Sequence, residues 1–167
     1  ALPRKSTYLM VDGPAGKMFR KSEITTMKQM NPADPLHRPI VVIGAPRSGT
    51  SLLSELLGGH RDVLLLTEPR LTWKYGNDRK SDMLRAADAR PEVIHHIRET
   101  FGKQVREAGK RRLVEKTPSN ALRPAFVDRV LPDARFIHII RDPVQSVLSI
   151  RSFWQNHASG FNIAPGR

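Results

Sequence analysis

The chain has 167 residues, enough for one domain with a real core and too few for two. It contains no cysteine, which excludes disulfides and thiolate chemistry, and no apolar run long enough to span a membrane. A formal charge of +12 calls for an anionic partner, be it nucleic acid, a phosphorylated cofactor or an acidic polysaccharide, while the small share of aromatics (6%) counts against base-stacking platforms.

Residues 1–39 read as a basic N-terminal arm with several prolines and weak periodicity. Within it Lys17-Met18-Phe19-Arg20-Lys21 is a short basic patch, either part of a solvated arm over the sheet edge or a contact for an acceptor or partner. The first residue is not methionine and no signal-type apolar core follows, so a processed or truncated N-terminus and a cytoplasmic setting are expected. Pro35 and Pro39 bracket the entry into the first strand.

Ile40-Val41-Val42-Ile43 reads as a strand buried on both faces. Gly44 to Gly49 turns the chain, and Leu52, Leu53, Leu56 and Leu57 follow at helical spacing. A strand, a glycine-bearing loop and a helix start gather unpaired backbone N–H groups and the helix dipole on one point, which makes an anion site. Gly44, Gly49 and Ser51 nearly meet the frame of a nucleotide triphosphatase loop, but Thr50 stands where its lysine would be and the charge is at Arg47. With no obvious aspartate closing a strand for magnesium, the loop is a phosphate cradle unsuited to Mg-dependent phosphoryl transfer. Arg47 offers a delocalised, forked cation that suits a phosphate-like group.

Gly58-Gly59-His60 ends the first helix. Val63-Leu64-Leu65-Leu66 reads as a second buried strand with Thr67-Glu68-Pro69-Arg70 at its end, where Pro69 favours an extended backbone at Glu68. Residues 71–91 are mixed, and Trp73 and Tyr75 either line a pocket or cap the core. Val93, Ile94, Ile97, Phe101 and Val105 predict a helix over roughly 92–108, whose Lys103, Arg106, Lys110, Arg111 and Arg112 form a solvated face or a binding face. Leu113-Val114 is a short third strand leading into Glu115-Lys116-Thr117-Pro118-Ser119-Asn120. A helix follows with Pro124 in its first turn and Phe126, Val127, Val130 and Leu131 inward. Phe136-Ile137-His138-Ile139-Ile140 is the fourth buried strand. Arg141-Asp142-Pro143 opens the last helix, with Asp142 as N-cap, and that helix runs through Val144, Val147, Leu148 and Trp154 to about His157 before Gly160 breaks it.

The alternation of four strands with four helices predicts an α/β fold, a parallel β-sheet flanked by helices on both faces. Ligands in such sheets bind beyond the carboxyl ends of the strands, and Arg47, Glu68, Lys116 and Arg141 all lie at such ends. Arg141, between a strand and a helix start, marks a second anion site, and Ser149 lies two helical turns on along roughly the same face. The plainer alternatives are an Arg141 ion pair with Asp142 or another carboxylate, and an ordinary helix serine at 149. Two separated phosphate sites at one sheet edge suggest a nucleotide phosphorylated at two positions. Competing functions are a nucleotide or metabolite kinase with a shifted lysine, and a basic module for nucleic acid or acidic glycans with steeply salt-dependent binding.

Ala45-Pro46-Arg47-Ser48-Gly49-Thr50-Ser51 resembles the 5′-phosphosulfate loop of sulfotransferases, above all the R-S-G-T form of the carbohydrate and tyrosylprotein branch. Ile139-Ile140-Arg141-Asp142-Pro143, with Ser149 after it, resembles the same family's 3′-phosphate motif. The resemblance covers roughly residues 38–157. It implies a P-loop-like domain over 40–167 and the donor 3′-phosphoadenosine 5′-phosphosulfate (PAPS), whose product is adenosine 3′,5′-bisphosphate, with no metal. The implied reaction is sulfuryl transfer to a hydroxyl or amine acceptor. Pro46, Arg47, Ser48, Gly49, Thr50 and Ser51 would bind the 5′ end, and Arg141 and Ser149 the 3′-phosphate. Glu68 is similar to the base of the tyrosylprotein enzymes and Lys116 to the lysine on the leaving oxygen, with Arg47 completing the catalytic set. Pro118 stands where the small-molecule members carry their histidine base, so that mechanism is not implied. Family members continue well past the second motif, so the domain is expected to be incomplete at its C-terminus. For the base, Glu68 is favoured over Glu115, because strand neighbours alternate faces and Glu115 should point away from Lys116, toward a helix or a basic partner such as Arg112.

Overall fold

A computed structural model describes residues 34–157. The basic patch at 17–21 and the helix breaker Gly160 lie outside the described residues. Four strands, β1 (Ile40–Gly44), β2 (Val63–Thr67), β3 (Arg112–Lys116) and β4 (Arg135–Ile139), form one sheet in the order β2-β3-β1-β4. Every pairing is parallel, which requires a crossover between each strand and the next. The crossovers carry α1 (Thr50–Gly58), a short α2 (Arg70–Lys74), α3 (Pro91–Glu107) and α4 (Pro124–Val130), and α5 (Pro143–His157) follows β4.

Side-chain alternation on the strands sorts the two faces. Val41, Ile43 and Leu113 join Ile97, Phe101, Phe126 and Val130 in the main core, beneath α3 and α4. Trp73 is fully buried there and meets the Phe101 and Phe126 rings edge-on at 5.2 and 6.3 Å. Trp73 therefore belongs to the core, while Tyr75 is exposed and stacks on His96. The opposite face is covered by α1, which packs against β2 and β3 so closely that a Cβ on Gly58 would stand 2.9 Å from that of Leu65. Leu36 is buried in the main core and Asp34 pairs with Arg98 at 2.8 Å, so residues just before β1 are packed onto the domain.

Three expectations change in detail. The edge strands β2 and β4 are half-buried rather than buried, because each has a neighbour on one side only among the described residues. Leu52 and Leu56 of α1 are 65% and 69% exposed, and its buried positions are Thr50 and Ser54. On α5, Val144, Val147, Leu148 and Trp154 are likewise exposed. Helical periodicity identified these helices correctly, but nothing among the described residues covers those apolar faces.

Candidate active site

The carboxyl ends of all four strands lie along one edge, in the order Glu68 after β2, Lys116 at the end of β3, the β1–α1 loop, and Arg141 after β4. The loop is set by two glycines for different reasons. A Cβ on Gly44 would stand 2.7 Å from the Ile139 carbonyl oxygen and 2.9 Å from Ser48 Oγ, so any side chain would push β4 and the loop apart. Gly49 has open space but φ 102°, which a side chain rarely tolerates. It is the N-cap of α1 and offers no side-chain cap, so the first amides of the helix are not occupied by one. Pro46, Arg47, Gly49 and Ser51 are exposed along this loop and helix start, and Ser48 and Thr50 are buried. Ser48 Oγ is buried without a hydrogen-bond partner, an arrangement that costs free energy unless an oxyanion or water completes it. A phosphate-like group fits this set of a free hydroxyl, open amides and a guanidinium.

Arg47 adopts a left-handed backbone, φ 66°, at a cost of about 1–2 kcal/mol for a residue with a side chain. Two groups from the β4–α5 side hold it there. Arg141 Nη1 donates to the Arg47 carbonyl oxygen at 2.9 Å, and Arg47 Nε donates to Ser149 Oγ at 3.3 Å. The Arg47 guanidinium also lies 5.0 Å over the Phe153 ring. Asp142 caps α5 as expected, its Oδ1 accepting from the Gln145 amide at 2.9 Å with Pro143 in the first turn. Among the described residues Arg141 forms no ion pair with Asp142, and the β1–α1 loop and the β4–α5 segment touch one another directly through Arg47.

On the other side of the loop, Lys116 Nζ reaches Glu68 Oε1 at 3.2 Å and Arg70 Nη2 reaches Glu68 Oε2 at 2.8 Å. Partial burial pushes the Glu68 carboxyl up, but the Arg70 and Lys116 hydrogen bonds outweigh it and hold the group below the ordinary glutamate range. Glu68 is therefore ionised at neutral pH. Its backbone corrects the sequence expectation: φ is 51°, left-handed and not extended. The Glu68 amide continues the β2–β3 ladder onto the Lys116 carbonyl at 2.9 Å. Pro69, at φ −71° and ψ 64°, then makes an inverse γ-turn closed by Arg70 N to Glu68 O at 2.7 Å. The strained residue turns the chain sharply into α2 and leaves its carboxylate beside Lys116, and such strain recurs at functional positions.

Glu115 and Lys116 point to opposite faces, as their adjacency on a strand requires. Glu115 is fully buried and accepts hydrogen bonds from Trp73 Nε1 at 2.9 Å, Asn120 Nδ2 at 2.9 Å and the Thr117 hydroxyl. Its basic neighbour is the buried Arg123 rather than Arg112; Arg123 donates to Asn120 Oδ1 at 2.7 Å. Burial pushes the Glu115 carboxyl up to about 7, against the opposing pull of Thr117, Trp73, Asn120 and Arg123. A carboxyl whose folded-state value is raised favours the protonated fold, so its stabilisation is complete at acid pH and lost as pH rises from 4.5 through about 7. The loss is on the order of 3 kcal/mol. Thermal unfolding of the wild-type protein is expected to show a midpoint falling across that window. Glu115→Gln should flatten the profile and lower the midpoint at acid pH, because its amide adds a donor where three donors already converge. A wild-type midpoint constant across the window would contradict this assignment.

The sequence did not reveal Phe153 or the Trp73–Thr117–Asn120–Arg123 set. Phe153 stands four residues after Ser149, on the same helical face, and that spacing was a usable signal. The buried set depends on how the turn Pro118–Leu122 folds back under β3, which no local pattern specifies.

Four parallel strands with helices between them, a glycine-bearing loop leading from β1 into α1 and an arginine before α5 at the same sheet edge define an α/β protein with a P-loop-like arrangement. The chain belongs to the sulfotransferase family: the family's model matches residues 39–165. It is similar to nodulation protein NoeE of Sinorhizobium fredii (strain NBRC 101917 / NGR234), 29% identical over 136 residues, covering 72% of this chain and 32% of that one. It is also similar to a protein of Caenorhabditis briggsae named, provisionally, as a protein-tyrosine sulfotransferase, 34% identical over 113 residues, covering 62% of this chain and 39% of that one. The match thus spans roughly a third of the length of these relatives. No helix among the described residues is long and apolar enough to cross a membrane.

Proposed function

We propose that this chain transfers a sulfuryl group from PAPS to a hydroxyl or amine of an acceptor. The observation that supports the proposal is the joining of the β1–α1 loop to the β4–α5 segment through Arg47, which Arg141 holds by its backbone and Ser149 by its side chain. A donor bearing phosphate groups at both ends of one ribose matches two cationic sites so close together. Arg47, Ser48, Gly49, Thr50 and Ser51, with Pro46 shaping the turn, would take the 5′-phosphosulfate, and Arg141 and Ser149 the 3′-phosphate. Bound there, the donor supplies a sulfur centre whose bond to the bridging phosphate oxygen breaks as the bond to the acceptor atom forms.

The chain's own residues would supply alignment and charge, as in phosphoryl transfer. Glu68, ionised at neutral pH, would take the proton that the acceptor loses. Lys116, buried beside Glu68, would face the bridging oxygen as negative charge develops on it. Arg70 would hold the second Glu68 oxygen and so fix the direction of the first.

The test is selectivity. Adenosine 3′,5′-bisphosphate is expected to bind more tightly than AMP, and Arg141→Ala to erase a preference of about tenfold or more, since a charged hydrogen bond contributes about 1.5–3 kcal/mol. Calorimetric titration of both nucleotides into both proteins measures this. Equal selectivity in the variant would refute the 3′-phosphate assignment.

A further inference from the structure

The Arg47 contacts carry a consequence that goes beyond the proposed activity while resting on the donor site it assigns. Arg47 is gripped at three points, all from the β4–α5 side: Arg141 on its carbonyl, Ser149 on Nε and the Phe153 ring under its guanidinium at 5.0 Å. None of these grips competes with a phosphate. Ser149 accepts from Arg47, which leaves its own O–H to donate to an anion. Arg141 uses one N–H on the Arg47 carbonyl and has four more. The Phe153 ring takes one face of the guanidinium and leaves its edges, where the N–H donors lie, for an oxyanion.

We infer that Phe153 is a positioning residue that acts through Arg47, coupling the 5′ and 3′ ends of the donor site so that an anion at one end favours binding of an anion at the other. An anion on Ser149 and Arg141 fixes the start of α5, and with it the ring and the two hydrogen-bond partners that hold Arg47. The loop then meets the second anion already ordered. By reciprocity, an anion in the loop strengthens the 3′ site by the same factor. The ring's share is the stacking of a cation on an aromatic face, about two- to fivefold at a site open to solvent.

The coupling is read from four ligands: adenosine, its 5′-monophosphate, its 3′-monophosphate and its 3′,5′-bisphosphate. Their dissociation constants, measured by ligand-observed NMR and calorimetry on the full-length protein, close a thermodynamic box. The bisphosphate is expected to bind about fivefold or more beyond the product of the two monophosphate gains. Phe153→Leu, which keeps an apolar side chain of similar bulk, should cut that factor by about two- to fivefold while leaving affinity for adenosine 3′-monophosphate within twofold of wild type. Phe153→Tyr, which retains the ring, should keep the factor. A wild-type factor of one, an unchanged factor in the leucine variant, or equal loss in the tyrosine and leucine variants would each overturn the coupling. If wild type shows additive monophosphate gains and still prefers the bisphosphate, the donor assignment survives and only the coupling falls. If the bisphosphate binds no better than either monophosphate, the donor assignment falls and the coupling with it.

Discussion

Glu68→Gln is expected to lower turnover by about 10²–10⁴-fold at saturating donor while nucleotide affinity stays nearly intact, because general-base catalysis typically contributes that much. Three structural facts single out this carboxylate. It directly follows β2 at the sheet edge, its backbone is held at φ 51°, and its oxygens sit on Lys116 and Arg70. The same ion pairs are also what a purely structural glutamate would make, so the loss must appear in turnover and not in stability alone. Glutamine keeps the shape and one acceptor oxygen, which separates lost basicity from lost packing. Initial rates with any acceptor that wild type turns over decide the matter, alongside a thermal midpoint for each protein. A fully active variant would remove Glu68 from the mechanism and turn attention to His138, which is exposed on the edge strand β4.

Lys116→Met is the second large effect, about 10²–10³-fold in turnover, as for the loss of one preorganised donor to developing charge. In the proposed leaving-group role its charge would matter most as the bridge breaks, so turnover should fall far more than donor affinity. Arg47→Ala, by contrast, should weaken donor affinity as well, since Arg47 belongs to the loop itself. The Lys116–Glu68 contact at 3.2 Å adds a signature. Lys116 helps to hold the Glu68 carboxyl below the ordinary glutamate range, so its removal lets that value rise. The acid limb of the pH–turnover profile should therefore move to higher pH in Lys116→Met, within whatever activity remains. If saturating donor restored wild-type turnover, or the acid limb stayed in place, the leaving-group role or its coupling to Glu68 would be wrong.

How much of this was legible follows from which constraints are local. The run Ile40–Ile43 with glycines after it could hardly be anything but a buried strand feeding a tight turn, and the structure makes it one of the two strands, with β3, that have a partner on each side. Alternation on β3 was enough to send Glu115 and Lys116 to opposite faces. Local rules failed where a long-range bond decides. Pro69 keeps Glu68 out of the right-handed region, but the left-handed conformation it takes accompanies a backbone bond to Lys116, 48 residues away. The partner of Glu115 is likewise set by the fold of the turn after β3, which brings Arg123 under it and leaves Arg112 at the start of the strand. Leu52 and Leu56 show a second kind of limit: spacing reveals that a helix has an apolar face, never what stands opposite it.

The central claim, a PAPS-type donor held by two joined anion sites, is tested most directly by titrating the full-length protein with adenosine 3′,5′-bisphosphate and, separately, with ATP and magnesium. The bisphosphate is expected to give heat and thermal stabilisation that persist in the presence of a metal chelator, and ATP–magnesium to bind markedly more weakly. Tighter binding of ATP–magnesium, abolished by the chelator, would contradict it and mark the loop as that of a kinase.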